Sequence, residues 1–304
     1  MSEFDLLIQG VQKMQEQSIA EKTRNQYKLS MSRYDYIMQQ IDGAPPSFPL
    51  SEDKCMAFLE HMRRKEFSYS YLKTFIAAFA NHFKENNLFD VTKTYEFRKF
   101  KDGLMRRMKG GSCPNAKEPI TSRMLEEIAT IIDDSDRLQL RDMAMYSIMF
   151  YGFLRFSECA NLKVEDIFTE NDGKLRIQVR FSKTDPSGVG ESVYIVPTHK
   201  IYCAIKWYLK YLSYCETNTI QFNFAMTPKT FKKRLHSYLS QIQLDHDINS
   251  YGGHNFRRGG ANAAALLGIQ YCNIKAHGRW KSAIYTKYTA VQMLEAGSKI
   301  TISI

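Results

Sequence analysis

The stretch HGRWKSAIYTKYTA, His277 to Ala290, gathers side chains able to do chemistry near the C-terminus. Tyr285 and Tyr288 sit one helical turn apart, after His277, Arg279 and Trp280 and beside Lys281 and Lys287. Each tyrosine is either a core aromatic or a nucleophile, and a phenol with pKa near 10 attacks at neutral pH only with a base and positive charge close by. Three earlier pieces offer such groups. LRFSE places Arg155 just after a strongly apolar helix, with Glu158 three residues on. SKTD places Lys183 in a turn-like segment, and HNFRRGGANAAALLG places His254 and Arg257 at i, i+3, on one side of a helix N-terminal turn. Singly, each has a plain structural reading: a helix-capping arginine, a solvated turn lysine, a packed aromatic.

The elements that must carry these groups are mostly helical. Ile19, Tyr27, Met31, Tyr34 and Met38 recur at three- and four-residue spacing through a helix from Ser18 to Gln40. APPSFPLSEDK breaks it, and Ser51 with the acidic residues after it caps a helix through CMAFLEHMRRK. FSYSYLKTFIAAFANHFKENN and the basic YEFRKFKDGLMRRMKGG complete a helical bundle over residues 1–109. The Gly, Ser, Pro and Asn of KGGSCPNAKEP predict a linker at 110–118. A mixed domain then spans 119–296. Its SRMLEEIATIID and RLQLRDMAMYSIMFYGF read as helices, and β-branched LRIQVRF and ESVYIVP read as strands on either side of SKTDPSGVG. That puts Lys183 on a hairpin. The run Gly259, Gly260, Ala261, Ala263, Ala264 and Ala265 predicts a helix packed closely on a neighbour; it follows no strand and lacks the spacing of a phosphate loop. The tail 297–304, GSKITISI, alternates like an edge strand, either packed at home or exchanged between protomers through Ile300, Ile302 and Ile304.

In this order the pieces resemble the active-site signature of the tyrosine recombinase family, the phage-integrase type: Arg, hairpin Lys, HxxR, His or Trp, then Tyr. The resemblance covers nearly the whole chain, since TRNQY and FSYSYLKTFIAAF are similar to that family's core-binding domain. RRGGA, GRW and the paired tyrosines resemble most closely recombinases of eukaryotic mobile elements of the Crypton and DIRS type. The resemblance implies a mainly α protein with a small β-sheet in an α+β catalytic domain, closing with the helical domain into a C-shaped clamp on double-stranded DNA. It implies strand cleavage and rejoining through a 3′-phosphotyrosine, without metal, ATP or other cofactor, by a homo-oligomer (dimer or tetramer) on DNA.

The residue types suit those roles. Arg155 and Arg257 would neutralise the non-bridging oxygens, since guanidinium is permanently charged and donates paired hydrogen bonds to phosphate. His254 would assist the nucleophile, and Lys183 would protonate the departing 5′-hydroxyl. Trp280 would donate its indole N–H to the phosphate, a place for which His277 and Arg279 are the alternatives, and Glu158 would orient His254 or the arginines. Tyr288, eight residues after Trp280, matches the family's nucleophile, which leaves Tyr285 a packing role.

Composition agrees with a polyanionic partner. The 304 residues carry Lys+Arg 42 against Asp+Glu 32, a formal net charge of +10. Arg98, Lys99, Lys101, Arg106, Arg107 and Lys109 crowd the entrance to the linker, and Lys232, Lys233 and Arg234 form a second cluster; both are candidate DNA contacts. The cysteines show no CxxC, so free thiols in a reducing compartment are expected. Histidines show no metal-ligand spacing, and no apolar run reaches membrane length, which predicts a soluble intracellular protein, nuclear if the host is eukaryotic. Two other outcomes share these features: a type IB topoisomerase-like nicking and religating enzyme, and a non-catalytic DNA-binding derivative.

Overall fold

The computed structural model describes residues 2–43, 50–109, 118–180, 190–283 and 286. The chain divides into two compact units, Met1–Pro114 and Asn115–Ile304. Lys183, Tyr285, Tyr288, most of the expected linker and the whole 297–304 tail lie outside the described residues.

The first unit is helical: α1 (Glu3–Gln17), α2 (Glu21–Asp42), α3 (Glu52–Arg64), α4 (Tyr69–Glu85) and α5 (Tyr95–Lys109). Its centre is aromatic because the buried faces of α2, α3 and α4 present rings at helical spacing. Tyr34 stands edge-on to Phe58 and Phe79, with ring centroids 5.1 and 5.2 Å away, and Phe75, Phe83 and Phe97 close the core. Ser51 caps α3 as expected, its hydroxyl accepting from the Lys54 N–H at 3.2 Å. Helix α1 was not expected. Reciprocal Ser2–Asp5 hydrogen bonds start it, yet Phe4, Leu7 and Met14 stay largely exposed, so no clean buried stripe announces it in the sequence. Helix α5 is sharply two-sided. Phe97 and Leu104 are buried, Arg98, Lys99, Arg106 and Arg107 are exposed, and Lys101 is intermediate.

The second unit is built around α7 (Arg137–Tyr151), buried at every position from Leu140 to Phe150. Helices α6 (Ser122–Thr130), α9 (Ala204–Thr217), α10 (Pro228–Leu239) and α11 (Gly253–Leu266) surround it, with short α8 (Phe156–Ala160) and α12 (Tyr271–His277) at the site described below. One side carries an antiparallel sheet in the order β1 (Ile167–Thr169), β2 (Leu175–Val179), β3 (Glu191–Ile195). Register pairs Ile177 with Val193 and Leu175 with Ile195, so Leu175, Ile177, Val179, Val193 and Ile195 all face the core. The two hairpin strands therefore form as read, while β1, too short to show an alternation, was missed.

Helix α11 packs as its small residues predict. A Cβ on Gly259 would lie 1.9 Å from the Ile120 carbonyl oxygen, and one on Gly260 would lie 2.1 Å from that of Phe150. Backbone cannot yield to such overlap. Gly260→Val should cost about 3 kcal/mol or more of stability, read as a lower urea midpoint for the second unit; an unchanged midpoint would refute the close-packing account.

No helix among the described residues is long and apolar enough to cross a membrane. Cys55, Cys159, Cys203, Cys215 and Cys272 are free thiols.

Candidate active site

The candidate site forms where the ends of α7, α11 and α12 meet the start of α8. The α7 helix ends at Tyr151, and Phe153 takes a left-handed backbone, φ 47°, turning the chain so that Arg155 stands at the N-cap of α8. Glu158, in the first turn of α8, accepts from the backbone N–H of Arg155 at 2.9 Å. The same carboxylate pairs with the Arg155 guanidinium. The acidic residue at i+3 thus supplies the backbone-capping half of a capping box and also becomes an ionic anchor.

Helix α11 supplies the second arginine. Asn255, buried beside His254, fixes the helix start: its amide oxygen accepts from the Gly252 N–H at 2.9 Å and its amide nitrogen donates to the Ser250 carbonyl at 3.0 Å. The Ile120 N–H donates to the Asn255 carbonyl at 3.1 Å. Two residues on, Arg257 is fully buried. Its Nη1 donates to the Phe153 carbonyl at 2.8 Å and lies 3.8 Å from Glu158, and its Nη2 donates to the Gly278 carbonyl. Its guanidinium carbon stands 4.4 Å from the centre of the Trp280 ring, a cation–π contact. His254, one turn earlier, is partly exposed.

The HGRW turn closes the cluster, each residue in a different way. His277 Nε2 lies 2.7 Å from the Tyr151 carbonyl oxygen, which can only accept, so the ring donates there. Burial, helped by the nearby Arg279 and Arg257 charges, lowers the His277 pKa against that hydrogen bond, which favours the neutral ring. Gly278 must be glycine, since a Cβ would lie 1.8 Å from the folded-back Trp280 ring. Arg279, with φ 55°, donates through Nη2 to Glu158 at 2.8 Å and through Nη1 to the Gly152 carbonyl at 3.3 Å. Trp280 packs against Phe153, Ala261, Ala265 and Ile274.

Glu158 is therefore the hub of three guanidiniums. Burial alone would raise its pKa. Arg279, the Arg155 N–H, Arg155 and Arg257 together reverse that, and the carboxyl ends below its usual range. The cluster carries net positive charge, in a place largely closed to solvent, and such a site suits an anion better than a neutral or cationic ligand.

Of the residues singled out in the sequence, Arg155, Glu158, Arg257 and Trp280 come together here, with His254 on the same helix turn as Arg257. Arg279, named earlier only as an alternative to Trp280, is a full member of the cluster through Glu158. Sequence reasoning missed Asn255, although its place inside HNFRR was a signal. It also missed the destination of Arg234. That guanidinium pairs with Asp142, a fully buried carboxylate on α7 that also accepts from Tyr238 Oη at 3.0 Å and Arg141 Nη2 at 2.9 Å. The charge of Arg234 is thus committed inside the unit, whereas Lys232 and Lys233 are exposed.

Residues 120–294 match the model of the phage integrase family. An integrase/recombinase XerD homolog from Selenomonas ruminantium is 28% identical over 201 residues, covering 60% of this chain and 58% of that protein. The chain thus spans little more than half the length of that relative. Among solved structures, XerH site-specific recombinase in a post-cleavage complex with palindromic difH substrate superposes with a TM-score of 0.63 at 17% identity, over 90% of this chain and 78% of that one. The Tn1549 transposon integrase with transposon right-end DNA gives a TM-score of 0.56 at 14% identity, over 88% and 92% of the two chains. A lambda integrase dimer bound to a COC′ core site gives 0.55 at 14% identity, over 95% and 77%. These likenesses confirm the fold, and the family match extends over more than half the chain and takes in every residue of the cluster. This chain belongs to the phage integrase family.

Proposed function

We propose that the chain is a site-specific DNA recombinase or integrase that cuts and rejoins strands through a covalent 3′-phosphotyrosine on Tyr288. The observation that carries this reading is the convergence of Arg155, Arg257 and the GRW turn on one buried carboxylate, which builds a preorganised cationic site beside His254. Preorganised charge of this kind stabilises a transition state without rearrangement during the reaction. The Tyr288 oxygen attacks phosphorus and the P–O5′ bond breaks. The phenol proton passes to His254, and Lys183 gives a proton to the departing 5′-oxygen. Arg155 and Arg257 hold the non-bridging oxygens, and Trp280 adds its indole N–H. Attack by a new 5′-hydroxyl reverses each step and reseals the strand, so the phosphodiester energy is conserved and no cofactor is called for.

The domain division follows the same reading: residues 1–109 as the helical DNA-binding domain, 110–118 as linker, 119–296 as catalytic domain and 297–304 as a tail exchanged between protomers of a dimer or tetramer. The exposed α5 cations and Lys232 and Lys233 are the proposed backbone contacts, with affinity falling steeply as salt rises. The combination of RRGGA, GRW and the tyrosine pair Tyr285 and Tyr288 supports an origin in eukaryotic mobile elements of the Crypton or DIRS type, and hence a nuclear location if the host is eukaryotic.

Covalent trapping tests the reaction. Cells expressing the chain are lysed in denaturant, protein-linked DNA is recovered, and the DNA is sequenced to its junction. Wild type should yield adducts at a shared junction sequence, and Tyr288→Phe should yield none. Adducts that persist in Tyr288→Phe but vanish in Tyr285→Phe would move the nucleophile. Absence of adducts in wild type would favour a non-catalytic DNA-binding protein, and relaxation of supercoiled DNA without strand exchange would favour the topoisomerase reading.

A further inference from the structure

The Glu158 carboxylate poses an electrostatic problem for the proposed reaction. It touches both proposed phosphate-binding arginines, so it cancels one of their two positive charges. A phosphate monoanion approaching a pentacoordinate dianion needs that second charge most as the transition state forms.

Arg279 restores it. Its Nη2 lies 2.8 Å from Glu158 Oε2, the oxygen that also accepts from the Arg155 N–H, and with its charge the cluster returns to a net two positive charges. Arg279 is only 6% exposed, and its Nη1 is held by the Gly152 and His277 carbonyls, so it is poorly placed to bind DNA itself. Its only other carboxylate among the described residues is Glu191, at 3.8 Å and half exposed, a weak contact. The backbone adds an independent sign. Arg279 sits at φ 55°, a left-handed conformation that glycine takes freely and other residues resist. An arginine at a strained position where glycine would relax is there for its side chain.

We propose that Arg279 is a positioning residue of the strand-transfer site: it serves as the counter-charge of Glu158, so that Arg155 and Arg257 keep their full positive charge for the scissile phosphate. This rests on the recombinase reading above.

The test uses full-length protein and a nicked half-site oligonucleotide of the junction sequence recovered by covalent trapping, with adduct formation followed in single turnover. Arg279→Met should slow it roughly 10- to 100-fold, less than loss of a direct donor, with DNA affinity unchanged. Arg279→Lys should recover part of the rate. On a half-site whose scissile linkage is a neutral methylphosphonate, the Arg279→Met deficit should shrink to about 3-fold or less, because one negative charge is gone; a purely structural role would leave the deficit equal on both substrates. Glu158→Gln combined with Arg279→Met rebalances the cluster and should react faster than Arg279→Met alone. Arg279→Gly, which suits the backbone, guards against misfolding of the methionine variant and should show the same deficit. A wild-type rate in Arg279→Met or Arg279→Gly, an equal deficit on both linkages, or a double variant no faster than the single one overturns the proposal, as does loss of fold in all these variants by circular dichroism. Failure of wild type itself to form an adduct overturns the recombinase reading instead, and this inference with it.

Discussion

Arg155→Ala should lower the rate of covalent adduct formation on the order of 10³-fold while the protein stays folded and still binds DNA. The separation follows from where the residue stands. Its side chain is 22% exposed, the most accessible guanidinium of the cluster. Removing it still leaves Glu158 paired with Arg279 and bonded to the N–H of residue 155. No buried charge is orphaned, so stability should change little. DNA affinity should also change little, because one phosphate contact among many alters the salt slope by about one unit at most. Arg155→Lys keeps the charge but loses the forked donor geometry, and should fall between the alanine variant and wild type. Single-turnover trapping beside a filter-binding titration separates the two effects. An alanine variant within about 3-fold of wild type would remove Arg155 from the phosphate.

The second large effect is on stability. Asp142→Ala should destabilise the second unit by about 3–5 kcal/mol, a fall in Tm of roughly 6–20 °C for a domain of this size. Asp142 is fully buried in the middle of α7 and is the shared partner of Arg141, Arg234 and Tyr238. Truncating it strands two guanidinium charges in and near the core, which costs far more than the ion pairs gain in wild type. Replacing the group as a whole is a different matter. Asp142→Leu with both Arg141→Met and Arg234→Met removes the charges together and should be much closer to wild type than Asp142→Ala. Thermal unfolding followed by circular dichroism distinguishes them. A fall below about 2 °C in the single variant would show that the network contributes little.

Helices were legible wherever one face is buried and the other wet. The α5 pattern, with Phe97 and Leu104 inside and Arg98, Lys99, Arg106 and Arg107 outside, needed no tertiary information. The hairpin strands were equally plain, because β2 alternates buried and half-buried residues. Helix α1 and strand β1 were not. One leaves its apolar side chains exposed, the other spans only Ile167–Thr169, and neither writes a periodicity long enough to read. Charged residues inside an apolar helix were similarly opaque: Arg141 and Asp142 are adjacent in sequence, but their reason for being there, Arg234 and Tyr238, lies on α10.

The site divides along the same line. Residue type and order by themselves determined which side chains to gather, since permanently charged forks give a phosphate paired hydrogen bonds and only a short list of groups can move protons at its leaving and attacking oxygens. The i, i+3 spacing of His254 and Arg257 is local helix geometry and was readable directly. What they touch was decided by the tertiary structure. Phe153, Gly259, Gly260 and Gly278 let the backbones approach until Arg257 meets two carbonyls and a tryptophan face. Arg279, which in sequence merely precedes that tryptophan, turns through a left-handed backbone to reach Glu158 more than a hundred residues earlier. No periodicity encodes such a contact. Charges pair with whatever the fold brings within a few ångströms, and only packing of α7, α8, α11 and α12 at one point determines which charges those are.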